Sequence, residues 1–259
     1  MTFPTGVSPR GAFRVWQRNA AVYRKTYKLN ILPNFFEPVI YLAAMGFGVG
    51  AYVTRDIEGM SYLRYIAPGL LAASAMNGGT FETTYNVFVK MYFARTYEAV
   101  TATPVTIADA MAGEILWGIT RGTIYGSAFA AVMTVFGLFG HWTAVLVLPL
   151  IVLTAWLFAA MGLLYTSLIR VIDLYSFYYT LWLTPLFLFS GIFFPLSTLP
   201  EWARAVAWAT PLYHCVNLMK AAAHGSWSAS SWLDLLWVLA ASLITSIWAL
   251  RRVERRFSA

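Results

Sequence analysis

The stretch TAVLVLPLIVLTAWLFAAMGLLYTSLI, residues 143–169, contains no charged side chain. A helix needs about 20 consecutive apolar residues to cross the hydrocarbon core of a bilayer. Further apolar runs with few charges cover 31–53, 63–88, 107–136, 174–195 and 231–250. Backbone N–H and C=O groups meet no water inside that core, so each run must pair them internally, as a helix does. The period-two alternation of a membrane barrel is absent from these runs. They predict an all-α membrane protein with six transmembrane helices in a single domain, 1–259. The composition agrees, with 59% of residues hydrophobic and 11% charged.

The basic residues orient the chain. With the N-terminus inside, thirteen lysines and arginines fall in inner segments and four (Arg55, Arg64, Arg204 and Lys220) in outer ones. An excess of cations marks the cytoplasmic side. Both termini are therefore expected in the cytoplasm of a multi-pass protein of the cell (inner) membrane. Residues 9–28 read as an amphipathic helix at about 100° per residue. Phe13, Trp16, Ala20, Tyr23 and Tyr27 form one stripe, with Arg10, Arg14, Arg18, Arg24, Lys25 and Lys28 beside it. Aromatics beside cations describe a helix lying among anionic headgroups, with membrane lipids as its partner. A solvated basic tail, or a helix docked on another protein, is the alternative. No cleavable signal peptide is expected, because the run after this segment is long enough to span.

Between the fifth and sixth spans, residues 192–224 predict a re-entrant or outward-facing hairpin. Thr198 and Glu201 have capping-box spacing for its first helix, and Pro211 separates a second one. Both pieces are apolar yet too short to cross. Such backbone is tolerated at membrane depth where protein covers it. The single cysteine, Cys215, permits no intrachain disulfide. His141, His214 and His224 lack metal-site spacing, so they read as packing residues and no metal is expected.

Catalytic templates are missing. None of the four lysines, Lys25, Lys28, Lys90 and Lys220, follows a glycine. A Gly-Lys-Ser/Thr phosphate loop is thereby excluded, along with ATP binding of that kind by this chain. There is no Gly-x-Ser-x-Gly elbow and no cluster of aspartates to hold magnesium. No cofactor and no nucleic-acid partner are expected. Energy must come from another chain or from an ion gradient.

The ionisable residues inside predicted spans include Glu37, Glu114 and Arg121. A charge at mid-membrane costs about 2.5–3.5 kcal/mol on insertion scales, so each should face protein or water. Glu114 and Arg121 lie roughly 10 Å apart along a helix axis, which favours a separate partner for each. Glu37 can snorkel, pair with the basic N-terminal helix, or serve gating. Gly118, Gly122 and Gly126 repeat every four residues and predict a stripe where another helix approaches closely. Tyr178, Trp182, Phe187, Phe189, Phe193 and Phe194 crowd the fifth span and its exit; they pack, face lipid, or line a path for amphipathic cargo.

The interval MYFARTYEAVTATPVTIADA, residues 91–110, is polar and lies between two apolar runs. With its neighbours it carries a resemblance. PGLLAASAMNGGTFETTYNVFVKMYFARTYEAVTATPVTIADAMAGEILWG (68–118) resembles the lipo-oligosaccharide, or nodulation-factor, branch of the integral-membrane subunits of type-two ABC exporters. PLFLFSGIFFPLSTLPEWARAVAWATPLYHCVNLMKA (185–221) is similar to the fifth span and external hairpin of that family more widely. The resemblance implies a coupling helix over about 94–104 that seats in a groove of an ATPase subunit. Arg95, Tyr97, Glu98, Ala99, Val100 and Thr101 would form it, with Pro104 ending it. Tyr97 would be its aromatic anchor and Glu98 its charge for a basic groove rim. The resemblance also implies two copies of this permease and two of a phosphate-loop ATPase that binds the ATP and magnesium. Two other readings compete with this permease of an amphipathic, lipid-linked or oligosaccharide cargo. One is an ion-coupled secondary transporter using Glu37, Glu82 and Glu114, and the other is a membrane-embedded enzyme.

Overall fold

The computed structural model describes residues 6–53 and 56–258, with backbone alone for 29–35, Glu37, Thr101 and Ser258. Ten α-helices account for most of the described residues: α1 (Pro9–Ala43), α2 (Tyr62–Phe81), α3 (Thr96–Thr101), α4 (Ile107–Val135), α5 (Val147–Leu168), α6 (Tyr175–Phe177), α7 (Thr184–Phe189), α8 (Glu201–Trp208), α9 (Pro211–His224) and α10 (Ala229–Ser258). Among the described residues there is no strand, only an isolated antiparallel bridge between Ile57 and Met60. The chain is thus all-α. Within the described residues, Trp142–Leu168 and Ala229–Phe257 are each long and apolar enough to cross a membrane. Three helices continue as π-helical turns: α1 through Ala44–Val49, α2 through Glu82–Asn86 and Val89–Phe93, and α6 through Tyr178–Leu183 into α7.

Helix α4 stands at the centre and packs on α1, α2, α5 and α10. Small residues let the backbones meet. A Cβ added to Gly122 would lie 2.5 Å from Ala155 Cβ and 2.7 Å from the Ala75 carbonyl oxygen. At Gly118 it would lie 2.8 Å from Ala159 Cβ, and at Gly126 2.5 Å from Ile151 Cγ2. The facing residue on α2 is also a glycine, since a Cβ on Gly78 would reach the Gly122 Cα at 2.8 Å. Lipid tails are as apolar as any side chain, so dispersion across such close crossings holds helices together in a membrane. The α4 N-terminus is fixed by a capping box: Thr106 Oγ1 accepts from the Asp109 N–H, and Asp109 accepts from the Thr106 N–H. Asp109 Oδ1 also accepts from the Ser8 N–H at 2.5 Å, which pins the start of α1 to the start of α4.

Residues 9–28 are helical as expected, but the helix does not end there and its docked face is not the expected aromatic stripe. Helix α1 runs unbroken through 35 residues, about 52 Å at 1.5 Å per residue. Its docked face is Ala12, Val15 and Asn19, all buried, while Phe13 and Tyr27 of the expected stripe are exposed. The cause is the crossing with α4. A Cβ on Gly113 would lie 2.6 Å from Val15 Cβ and 2.7 Å from the Ala12 carbonyl oxygen, so only small or β-branched residues fit there. Trp16 turns inward to donate from Nε1 to Thr120 Oγ1 at 2.9 Å.

A second correction concerns the capping box expected at Thr198 and Glu201. Helix α8 is N-capped by Pro200, and Thr198 Oγ1 instead donates to the Pro195 carbonyl in the preceding 3₁₀ turn. The two helices also differ. Trp202, Val206 and Trp208 of α8 are exposed, whereas Leu212, Cys215, Val216, Leu218 and Met219 of α9 are buried in the core. Gly225 ends α9 at φ +75°, where a side chain would strike the His141 ring at 2.6 Å.

Candidate functional site

The polar interval after α2 folds onto one end of the bundle. The chain reverses at Arg95, whose φ of 46° is in the left-handed region, and then forms α3. Tyr97 is buried, and its hydroxyl donates to Glu114 Oε1 of α4 at 3.0 Å. Glu114 Oε2 accepts from Lys90 Nζ at 2.7 Å and from Asn19 Nδ2 at 3.0 Å. One carboxylate therefore joins α1, the extension of α2, α3 and α4. A buried charge is stable only when a counter-charge and hydrogen bonds replace its water, and here a lysine, an amide and a phenol do so. Burial, together with the neighbouring Glu114 charge, pushes the Tyr97 phenol well above its ordinary value and keeps it a donor.

A second pair lies deeper. Arg121 Nε donates to Glu82 Oε1 at 2.7 Å, and Glu82 Oε2 accepts from Asn86 Nδ2 at 2.8 Å. The guanidinium carbon stands 4.4 Å from the Tyr23 ring centre and 5.3 Å from that of Tyr125. Glu114 and Arg121 thus have separate partners. The side chain of Glu37 lies outside the described residues.

Tyr97 is the correction at the interval itself: it points into the bundle, away from any docking partner. The reason is its place on the inner face of a short helix, opposite the Glu114 carboxylate, whose Oε1 accepts from its hydroxyl. The outer face is formed by Arg95, Glu98, Ala99 and Pro104, all exposed, with Arg95 Nε and Glu98 Oε1 3.8 Å apart. Val100 is half-buried, and Thr101 is described by backbone alone. Arg14 and Arg18 of α1, expected to face headgroups, line a groove of about 440 Å³ with Arg95, Ala99 and Val100. Lys25 is exposed. Across the same end, Arg256 of α10 donates to the Ser167 carbonyl at 2.9 Å and to the Tyr92 hydroxyl, closing the C-terminus of α5.

The aromatic set does not form one wall. Tyr178 is buried and stacks on Tyr165 at 4.5 Å, while Trp182 borders an apolar furrow with Leu164, Leu168 and Trp248. Phe187 faces a different cavity, of about 250 Å³, shared with Tyr41, Asn77 and Tyr179. Phe193 packs on Phe187 at 5.1 Å, Phe194 is half-buried, and Phe189 is exposed. The π-helical turn at Tyr178–Leu183 divides them, because its extra residue rotates the later turns of the helix relative to the earlier ones. Sequence reasoning gave no site role to Asn19, Asn86 or Lys90. The spacing of Glu82, Asn86 and Lys90, each four residues from the next, would have placed them on one helix face.

Comparisons with known proteins bear on this geometry. Residues 11–223 match the ABC-2 type transporter family, and the chain belongs to it. Nodulation protein J of Rhizobium leguminosarum bv. viciae is 38% identical over 80% of this chain and 79% of its own length. Nodulation protein J of Bradyrhizobium diazoefficiens is 36% identical, over 83% and 82% respectively. The inner membrane transport permease YadH of Escherichia coli is 26% identical over 78% of both chains. The last of these is named as a transport permease, and the apolar helices agree with a place in a membrane.

Proposed function

We propose that this chain is the permease half of an ATP-driven exporter. It moves an amphipathic, lipid-linked or oligosaccharide cargo out of the cytoplasm or the inner leaflet of the inner membrane. A separate phosphate-loop ATPase, carrying ATP and magnesium, hydrolyses the nucleotide, and two copies of each chain assemble. The observation that carries the reading is the Tyr97–Glu114 bond. It ties a short, surface-bearing helix to the centre of the bundle, so force applied to α3 reaches α1, α2 and α4 through one buried carboxylate. The start of α1 and the end of α10 lie at the α3 end, which supports an even number of spans with that end in the cytoplasm. Glu82 and Glu114 are each already held by a cation, at 2.7 Å in both cases. That pairing weighs against either as a free proton or ion carrier.

Transport by inverted vesicles decides between the readings. Cargo uptake that requires ATP and the phosphate-loop subunit, and survives collapse of the proton gradient, supports the proposal. Uptake driven by the gradient without nucleotide overturns it.

A further inference from the structure

A cavity of about 310 Å³ opens between α1, the extension of α2 and α4, walled by Tyr23, Glu82, Lys90, Trp117 and Arg121 among others. Its volume is at the lower end of the range for small-ligand sites. Arg121 is only 4% exposed, yet its Nη1 has no hydrogen-bond partner among the described residues, and the buried Tyr23 hydroxyl is in the same state. Such orphaned donors are costly unless a ligand meets them. Lys90 Nζ already binds Glu114 and Asn19 and retains a third N–H. Each Glu82 oxygen on this wall already takes a donor, one from Arg121 and the other from Asn86. What remains is donor capacity, from a guanidinium, an ammonium and a phenol. That set fits a group rich in acceptors. At the rim, Val22 and Val89 are 54% and 41% exposed, an apolar margin beside a polar floor.

We infer that this cavity binds a phosphate-bearing amphiphile, a membrane phospholipid seated by its headgroup. The phosphate oxygens accept from Arg121 Nη1, Tyr23 and Lys90, and the acyl chains leave over Val22 and Val89. The assignment requires only that the chain lie in a membrane, and it stands or falls apart from the export reading.

The test uses the full chain purified in neutral detergent and loaded with dioleoyl phosphatidylglycerol or, without the phosphate, dioleoylglycerol. Native mass spectrometry counts the lipid retained. The parent should retain the phospholipid about tenfold better, as expected when one charged hydrogen-bond set is gained. Arg121→Lys keeps a cation for Glu82 but loses the forked donor, and should reduce retention by about tenfold. Tyr23→Phe should reduce it a few-fold, and it remains decisive if the arginine variant misfolds. Glu201→Gln, on exposed α8 surface, should change nothing. Equal retention of the two lipids, or undiminished retention in Tyr23→Phe, overturns the site. Displacement of the phospholipid by millimolar inorganic phosphate overturns the lipid assignment in favour of a free anion.

Discussion

Glu114 ties α1, the extension of α2, α3 and α4 together at the α3 end. Its two oxygens collect Tyr97, Lys90 and Asn19, so each of these residues is a donor to a buried anion. Tyr97→Phe deletes one donor without changing shape, and should destabilise the chain by about 1–3 kcal/mol. Thermal unfolding in detergent micelles measures this; a melting temperature equal to the parent's would mean the bond contributes nothing. Charge exchange tests the pairing itself. Glu82→Arg combined with Arg121→Glu should recover part of what each single change loses, visible as a coupling energy above about 0.5 kcal/mol. Combining Glu114→Arg with Arg121→Glu should show no recovery, since the two side chains bind different partners. The separate partners were legible from the rise between the two residues along one helix. The inward turn of Tyr97 was not, because it depends on a carboxylate brought from α4 by the fold, and an aromatic in a polar interval looks the same whichever way it faces.

At the scale of elements, the bundle is organised by small residues where helices cross. The four-residue glycine repeat of α4 marked that face in the sequence, and Ala155, Ala159 and Gly78 receive it. Gly122→Val should therefore cost more than the roughly 1–3 kcal/mol typical of overpacking, because the obstructing atoms include backbone. Gly48→Ala, with nothing within 4 Å of the added carbon, should be tolerated. Expression and monodispersity in detergent, followed by melting, separate the two. Helix ends were less legible than helix faces. Thr106 and Asp109 form the capping box that fixes α4, while the same spacing at Thr198 and Glu201 does not, because Pro200 takes the cap position. Likewise the large aromatics of α1 drew the sequence reading to their stripe. Steric fit against Gly113 selected the smaller Ala12 and Val15 instead.

On the scale of the whole molecule, α3, the start of α1 and the end of α10 gather at one end. The outward surface there mixes Arg14, Arg18 and Arg95 with Glu98. All-helical architecture and family were legible from the apolar runs and from 68–118; the division of the aromatics into separate cavities was not, since it arises from a π-helical turn. The central claim is that α3 passes the work of an ATPase into the bundle. Glu98→Lys reverses a charge on its exposed face and should weaken assembly through like-charge opposition. The most direct measurement is ATP hydrolysis by the phosphate-loop subunit in proteoliposomes, with parent or Glu98→Lys permease, with and without an added lipo-oligosaccharide. The account predicts no hydrolysis by the permease alone and cargo-stimulated hydrolysis in the parent complex. With Glu98→Lys, stimulation should fall by about tenfold, the equivalent of roughly 1.4 kcal/mol of lost contact. Hydrolysis by the permease alone, or stimulation undiminished in Glu98→Lys, would contradict it.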